Sequence, residues 1–211
     1  MPLAPLTSRP VPGLREVLSD ARVYELWSRL VGGNHGRSTL VREHVRPQAG
    51  ARVLDLGCGP GDLVRHLGDV RYVGIDTSEE YIDQALRSFG DGAEFRVGDA
   101  TRLDDDLRRF DLVLAFGVLH HLDDSGVAGL LRGASAALEP GGRFVSVDPT
   151  LVSGQSRMAR LVVSWDRGGH VRSPEEYERL VASTFGEVRR TVRSDLLRIP
   201  YSHCVLEAEA A

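Results

Sequence analysis

A chain of 211 residues, 42% of them hydrophobic, can bury one sizeable core, which sets the expectation of a single domain with a small extension or insertion. A formal net charge of −4 and basic side chains that are all Arg, scattered along the chain, leave no basic field for nucleic acid. Two cysteines, Cys58 and Cys204, make neither a disulfide framework nor a metal cluster and read as free thiols of a reducing compartment. No apolar run approaches the roughly 20 residues of a membrane span, and the proline-bearing N-terminus lacks the apolar stretch of a signal peptide. The expectation is a cytoplasmic domain with no metal, no membrane and no nucleic-acid partner.

In chain order, residues 1–13 carry Pro2, Pro5, Pro10 and Pro12 and read as loose. From Leu14, apolar positions Val17, Leu18, Val23, Leu26, Trp27, Leu30 and Val31 recur at helical spacing, and Gly32-Gly33-Asn34 reads as a stop. A second short helix, about Arg37 to Val45, halts before Pro47. The run Arg52 to Leu56 then ends in Gly57-Cys58-Gly59-Pro60-Gly61, which predicts a strand, a tight turn and a helix N-terminus. The G-x-G-x-x-G rhythm of dinucleotide sites is missing. An acid, Asp55, stands two residues before the first glycine, where it would repel a pyrophosphate and welcome a cationic group.

Asp62 to Leu67 reads as a short helix and Val70 to Asp76 as a strand. Asp76 either caps the next helix or accepts both hydroxyls of a ribose. Thr77-Ser78-Glu79-Glu80 starts that helix, which runs through Tyr81 to Phe89. Strand Ala93 to Val97 leads to Asp99 and Ala100, and Asp104-Asp105-Asp106 reads as a solvated loop. The nearly continuous apolar run Phe110 to Phe116 has the character of a central parallel strand, and His120 and His121 lie just beyond it. A helix Asp123 to Leu138, a turn Glu139-Pro140-Gly141-Gly142 and a strand Arg143 to Asp148 come next. Residues 149–172 break the pattern as an insertion. Ser173-Pro174-Glu175-Glu176 opens another helix, and Phe185 to Val192 and Tyr201 to Glu207 read as the last strands.

The alternation specifies an α/β, doubly wound, mostly parallel sheet, whose ligand sits at the carboxyl ends of its strands. Asp55 to Gly61, Asp76, Asp99, Phe116, His120, His121 and Asp148 all fall there. That convergence is the main functional signal in the sequence.

Asp55-x-Gly57-x-Gly59-x-Gly61 resembles the S-adenosylmethionine-binding motif of class I (Rossmann-like) methyltransferases, of the small-molecule type. The resemblance is specific over residues 47–148 and extends to the rest in outline. It implies a seven-stranded sheet with an antiparallel last strand in a domain spanning 47–211, an N-terminal helical extension (1–46) over the cofactor, and a lid-like substrate-side insertion (149–172). It implies cofactor contacts from Asp55, Gly57, Cys58, Gly59, Gly61, Asp76, Thr77, Asp99, Ala100 and Phe116, with Tyr24 and Arg37 from the extension. Asp99 would receive the adenine amino group.

The reaction implied is transfer of a methyl group to an oxygen or nitrogen of a small molecule by a monomer or homodimer. A base is needed if the acceptor carries a proton. His121, then His120, are the candidates, with Asp148 as second base or orienting partner. Adjacent helical residues point about 100° apart, so one histidine is expected to face the pocket. Arginines of the insertion (Arg157, Arg160, Arg167, Arg172) would suit an anionic acceptor. Two alternatives stand beside this reading. One is the same fold turned to cyclase or decarboxylase chemistry. The other is a nicotinamide-dependent oxidoreductase.

Overall fold

The structure, a computed structural model, describes residues 33–155 and 169–210. The predicted N-terminal helix with Tyr24 and Trp27, and Arg157, Arg160 and Arg167 of the insertion, lie outside the described residues. Seven strands form one sheet in the order β3-β2-β1-β4-β5-β7-β6. They are β1 (Arg52–Leu56), β2 (Arg71–Asp76), β3 (Glu94–Val97), β4 (Phe110–Phe116), β5 (Leu138–Pro149), β6 (Val188–Arg193) and β7 (His203–Glu209). Strands β1 to β5 pair in parallel, and β7 runs antiparallel to both β5 and β6. The expected mostly parallel sheet with an antiparallel last strand is therefore present.

The order reflects burial chemistry. In β4, Leu112 to Ala115 are all buried, as a strand covered on both faces requires. The outer strands β3 and β6 instead read EFRV and VRRTVR, and charges of this kind protect sheet edges from pairing with other chains.

Helices cover both faces. On one side, α4 (Asp124–Ala137) and α5 (Pro174–Phe185) bury Val127, Leu130, Leu131, Tyr177 and Val181 against Leu54, Val113 and Leu206. On the other, α1 (Gly33–Leu40), the π-turn Val41–Val45 and α3 (Glu79–Phe89) bury Leu40, Val45, Ile82 and Ala85 against Val53, Leu114 and Val205. Residues 40–45 thus share the core of the sheet domain. A short α2 (Val64–Leu67) comes after the glycine turn.

Starts of helices are well marked in the sequence. Ser78, Asp123 and Ser173 each accept a hydrogen bond from a first-turn amide, and Ser173 with Glu176 completes a capping box.

The last strands start later than the sequence suggests, with Phe185 ending α5 and β7 opening at His203, and two other boundaries differ in kind. Gly33 and Asn34, read as a stop, lie within α1. The Glu139–Gly142 turn is absorbed into β5, whose register on β4 jumps from Phe110↔Leu138 to Leu112↔Arg143. Gly141, at φ 75°, supplies the left-handed residue of that irregularity.

A buried carboxylate fastens the N-terminal segment. Glu207 of β7 accepts from Arg46 (2.7 Å) and Arg143 (3.1 Å) and bonds His44 Nδ1 at 2.9 Å. Arg143 also donates to the carbonyls of His44 and Val45, which the end of the π-turn leaves open.

Candidate active site

The strand order reverses between β1 and β4, and the crevice at such a switch point is where ligands of doubly wound sheets bind. Two turns border it: residues 57–61 after β1 and residues 117–121 after β4.

The amides of Gly57 and Cys58 both donate to the Ile75 carbonyl, at 2.8 and 3.0 Å, which ties the first turn to β2. Gly57, Gly59 and Gly61 all have positive φ (71°, 54° and 79°). Their surroundings separate their roles. A Cβ on Gly57 would lie 2.6 Å from Val118 Cγ2, and one on Gly61 would lie 2.9 Å from Phe95 Cε1. These two are glycines because the protein packs against them. Among the described residues, a Cβ on Gly59 would meet nothing within 4 Å, so of these three glycines Gly59 presents bare backbone to open space.

The acids differ in the same way. Asp55 is 2% exposed, receives the Tyr72 hydroxyl on Oδ2 at 2.6 Å, and leaves Oδ1 buried without a partner among the described residues. Burial pushes its carboxyl up to about 7, with Tyr72 and Arg37 pulling down and Asp76 pushing up. Asp76, half-buried at the end of β2, accepts the Gly59 amide on Oδ2 and the Ser78 amide on Oδ1, each at 2.9 Å. It locks the turn to the start of α3, and each oxygen keeps a second acceptor site. Asp99 is exposed and takes the Thr101 amide and hydroxyl on Oδ1, both at 2.8 Å, which lowers its pKa. Its geometry is that of an aspartate closing its own loop.

Cys58, Ala100 and Phe116 are half-buried and Thr77 is exposed. Burial pushes the Cys58 thiol up, away from nucleophile chemistry. Arg37 of α1 stands 3.8 Å from Asp62 at the end of the glycine turn, so α1 reaches this side of the crevice.

On the β4 side of the crevice the two histidines part company. Both belong to a single 3₁₀ turn, Leu119–His121. His120 is 4% exposed, and Asp148 Oδ1 accepts its backbone amide at 3.1 Å and bonds its Nδ1 at 2.9 Å. A carboxylate can only accept, so Nδ1 carries the hydrogen and Nε2 is the basic nitrogen. His121 is exposed, with its ring 4.0 Å from that of His120.

Arg172 corrects an expectation. Its side chain does not reach toward a ligand: it is buried and spends its donors inside the fold. Nε and Nη2 donate to Asp124 (3.2 and 2.8 Å), Nη1 to the carbonyls of Leu119 and His170 (3.0 and 3.1 Å), and Nη2 to that of Leu122 (2.8 Å). The His170 amide donates to the His120 carbonyl at 2.9 Å. The return of the insertion is thereby stapled to the histidine turn. The sequence marks the Arg but not this use of it. It gives no sign of Tyr72, whose role depends on a cross-strand contact that no linear motif carries.

Among the described residues no helix is long and apolar enough to cross a membrane. A family model described as a methyltransferase domain matches residues 53–142. A ubiquinone biosynthesis O-methyltransferase of Methylocella silvestris is 34% identical over 152 residues, 65% of this chain and 59% of the relative. A 27-O-demethylrifamycin SV methyltransferase of Amycolatopsis mediterranei is 34% identical over 113 residues, 50% of this chain and 41% of that one. The chain therefore spans about half the length of these relatives. The solved structure of the pyocyanin biosynthetic protein PhzM superposes with a TM-score of 0.74 at 21% identity, over 93% of this chain and 61% of that one, a likeness of fold. The matched segment, the relatives and the sheet order agree: residues 53–142 match a methyltransferase domain, and the sheet has the Rossmann-like fold of the solved methyltransferases it resembles.

Proposed function

We propose that the protein binds S-adenosylmethionine at the glycine turn and transfers its methyl group to an oxygen, or a nitrogen, of a small molecule. The observation that carries this reading is the pairing, at one switch point, of an open glycine cradle beside buried acid with a carboxylate-held histidine. The orphaned Asp55 oxygen suits the ammonium of the cofactor's amino acid end, Gly59 allows close approach of the ligand to the backbone, and Asp76 has acceptor capacity for ribose hydroxyls. Asp99, Ala100, Thr77 and Phe116 would border the nucleoside and methionine portions, with Arg37 and Tyr24 covering them. Relatives named O-methyltransferases favour oxygen over nitrogen as the acceptor.

When bound, the cofactor supplies a methyl group activated by its sulfonium. The chain contributes position and proton transfer. Aligning acceptor and methyl while excluding water is worth about 7–11 kcal/mol in well-oriented systems. His120, ahead of His121, takes the acceptor's proton on Nε2. Asp148 orients the ring and stabilises the imidazolium, as the aspartate does in hydrolase triads. The protein would act as a cytoplasmic monomer or homodimer.

The test is incubation of the purified chain with methyl-labelled S-adenosylmethionine and a panel of hydroxylated and amine-bearing small molecules. Labelled product on an acceptor oxygen or nitrogen supports the reading. Tight cofactor binding with no transfer to any acceptor would move it to the non-methylating alternative.

A further inference from the structure

Tyr72 is 3% exposed and sits on β2 opposite Val53, one pair before Leu54↔Val73 and two before Asp55↔Gly74. Its ring leans along the strand over Gly74, where a Cβ would come within 2.9 Å of Tyr72 Cε1 and 2.8 Å of Cys58 Sγ. Only a glycine at 74 lets the hydroxyl reach Asp55 two positions along the neighbouring strand, at 2.6 Å. Phe95 packs against the ring at a centroid distance of 5.6 Å and holds it there. The other Asp55 oxygen stays buried and, among the described residues, unpartnered.

We propose that Tyr72 is a positioning residue of the cofactor site, holding Asp55 so that binding of the cofactor's ammonium group is coupled to loss of a proton from that carboxyl. This rests on the reading that the glycine turn holds S-adenosylmethionine. The charged and titratable groups facing Asp55 are the Tyr72 hydroxyl on β2, the Cys58 thiol in the turn, the Asp76 carboxylate at the end of β2 and the Arg37 guanidinium on α1. Among the described residues Asp55 forms no ion pair, so burial dominates and holds its carboxyl near pH 7 in the free protein. A cation placed against it favours the anion. Below about pH 7 the ligand must therefore displace a proton, and affinity falls toward tenfold per pH unit. The Tyr72 hydroxyl donates to the anion, so its removal raises the carboxyl pKa and moves the whole edge to higher pH.

The test is calorimetric titration of the full chain with S-adenosylhomocysteine, which keeps the ammonium group, at pH 6.0 and 8.0 in buffers of different ionisation heat. Wild type should release close to one proton at pH 6.0 and close to none at pH 8.0. Tyr72→Phe should bind about threefold to tenfold more weakly at pH 7.0, release more protons at pH 8.0, and return to near wild-type affinity by pH 9. Weakening that is equal at every pH would mark Tyr72 as structural only and overturn the proposal. If Tyr72→Phe does not fold, the wild-type proton count decides alone. Tight binding with no proton released at pH 6.0 overturns the coupling and leaves the cofactor reading standing. No binding at either pH removes both.

Discussion

Asp148 and His120 are joined twice: one carboxylate oxygen accepts the histidine's backbone amide at 3.1 Å and engages its ring Nδ1 at 2.9 Å. Ring and backbone are fixed by a single acceptor, so the direction of Nε2 is set before any ligand arrives. With general-base contributions typically ~10²–10⁴-fold, His120→Ala should lower the methyl-transfer rate by about that factor and leave cofactor affinity within about twofold. Asp148→Asn, which can present a donor to Nδ1 and reverse the tautomer, should cost a similar factor. His121→Ala should stay within about threefold. Rates under saturating cofactor with any accepted substrate check this, and equal losses at the two histidines would contradict the assignment.

The glycines of the turn should separate under substitution. Gly57→Ala drives a methyl to 2.6 Å from Val118 and should destabilise the fold by more than the ~1–2 kcal/mol cost of left-handed backbone. Gly59→Ala meets open space, so its stability loss should stay near that cost while cofactor affinity drops about tenfold or more. Thermal melts beside calorimetric titrations distinguish the two.

Asp55 should trade stability for function. Its folded pKa, near 7, lies above the unfolded value near 3.8, so the folded state holds the proton longer. Stability linked to this group is fully present below about pH 4 and is lost as pH rises toward and through 7, by up to about 4 kcal/mol. Asp55→Asn keeps an acceptor for the Tyr72 hydroxyl and removes the buried charge. Its melting temperature should exceed wild type at pH 8 and converge with it toward pH 4, while its cofactor affinity is lower.

Arg172→Lys should weaken the staple between the insertion and the histidine turn. A lysine has three donors on a flexible stem and cannot serve Asp124 and three carbonyls together. A loss of about 2–3 kcal/mol, seen as roughly 4–12 °C in melting temperature, is the expected result. Glu207→Gln should cost a similar amount by unpairing the guanidinium of Arg143 and the ring of His44 at the buried junction.

The sheet is readable from sequence because its signals are local: apolar runs at strand spacing, and serine or aspartate caps three residues before a paired amide. β4 is bounded to the residue because both its ends meet polar or glycine neighbours. The turn before β5 falls inside that strand because Leu138 pairs with Phe110 ahead of it and Arg143 with Leu112 after it, a register break around Gly141 that composition does not record. At the site, the motif residues are legible one by one, and their division of labour is not. Which glycine faces open space depends on Val118 and Phe95, distant in sequence, and which histidine is held depends on Asp148 across the sheet. Arg172 and Tyr72 act through contacts that only the folded chain assembles.

Cofactor binding at the switch point is tested most directly by calorimetric titration with S-adenosylmethionine, wild type beside Asp76→Ala. The expected result is micromolar affinity that the variant weakens at least tenfold, about 1.4 kcal/mol. No binding by the folded wild-type protein between pH 6 and 8.5 would contradict it.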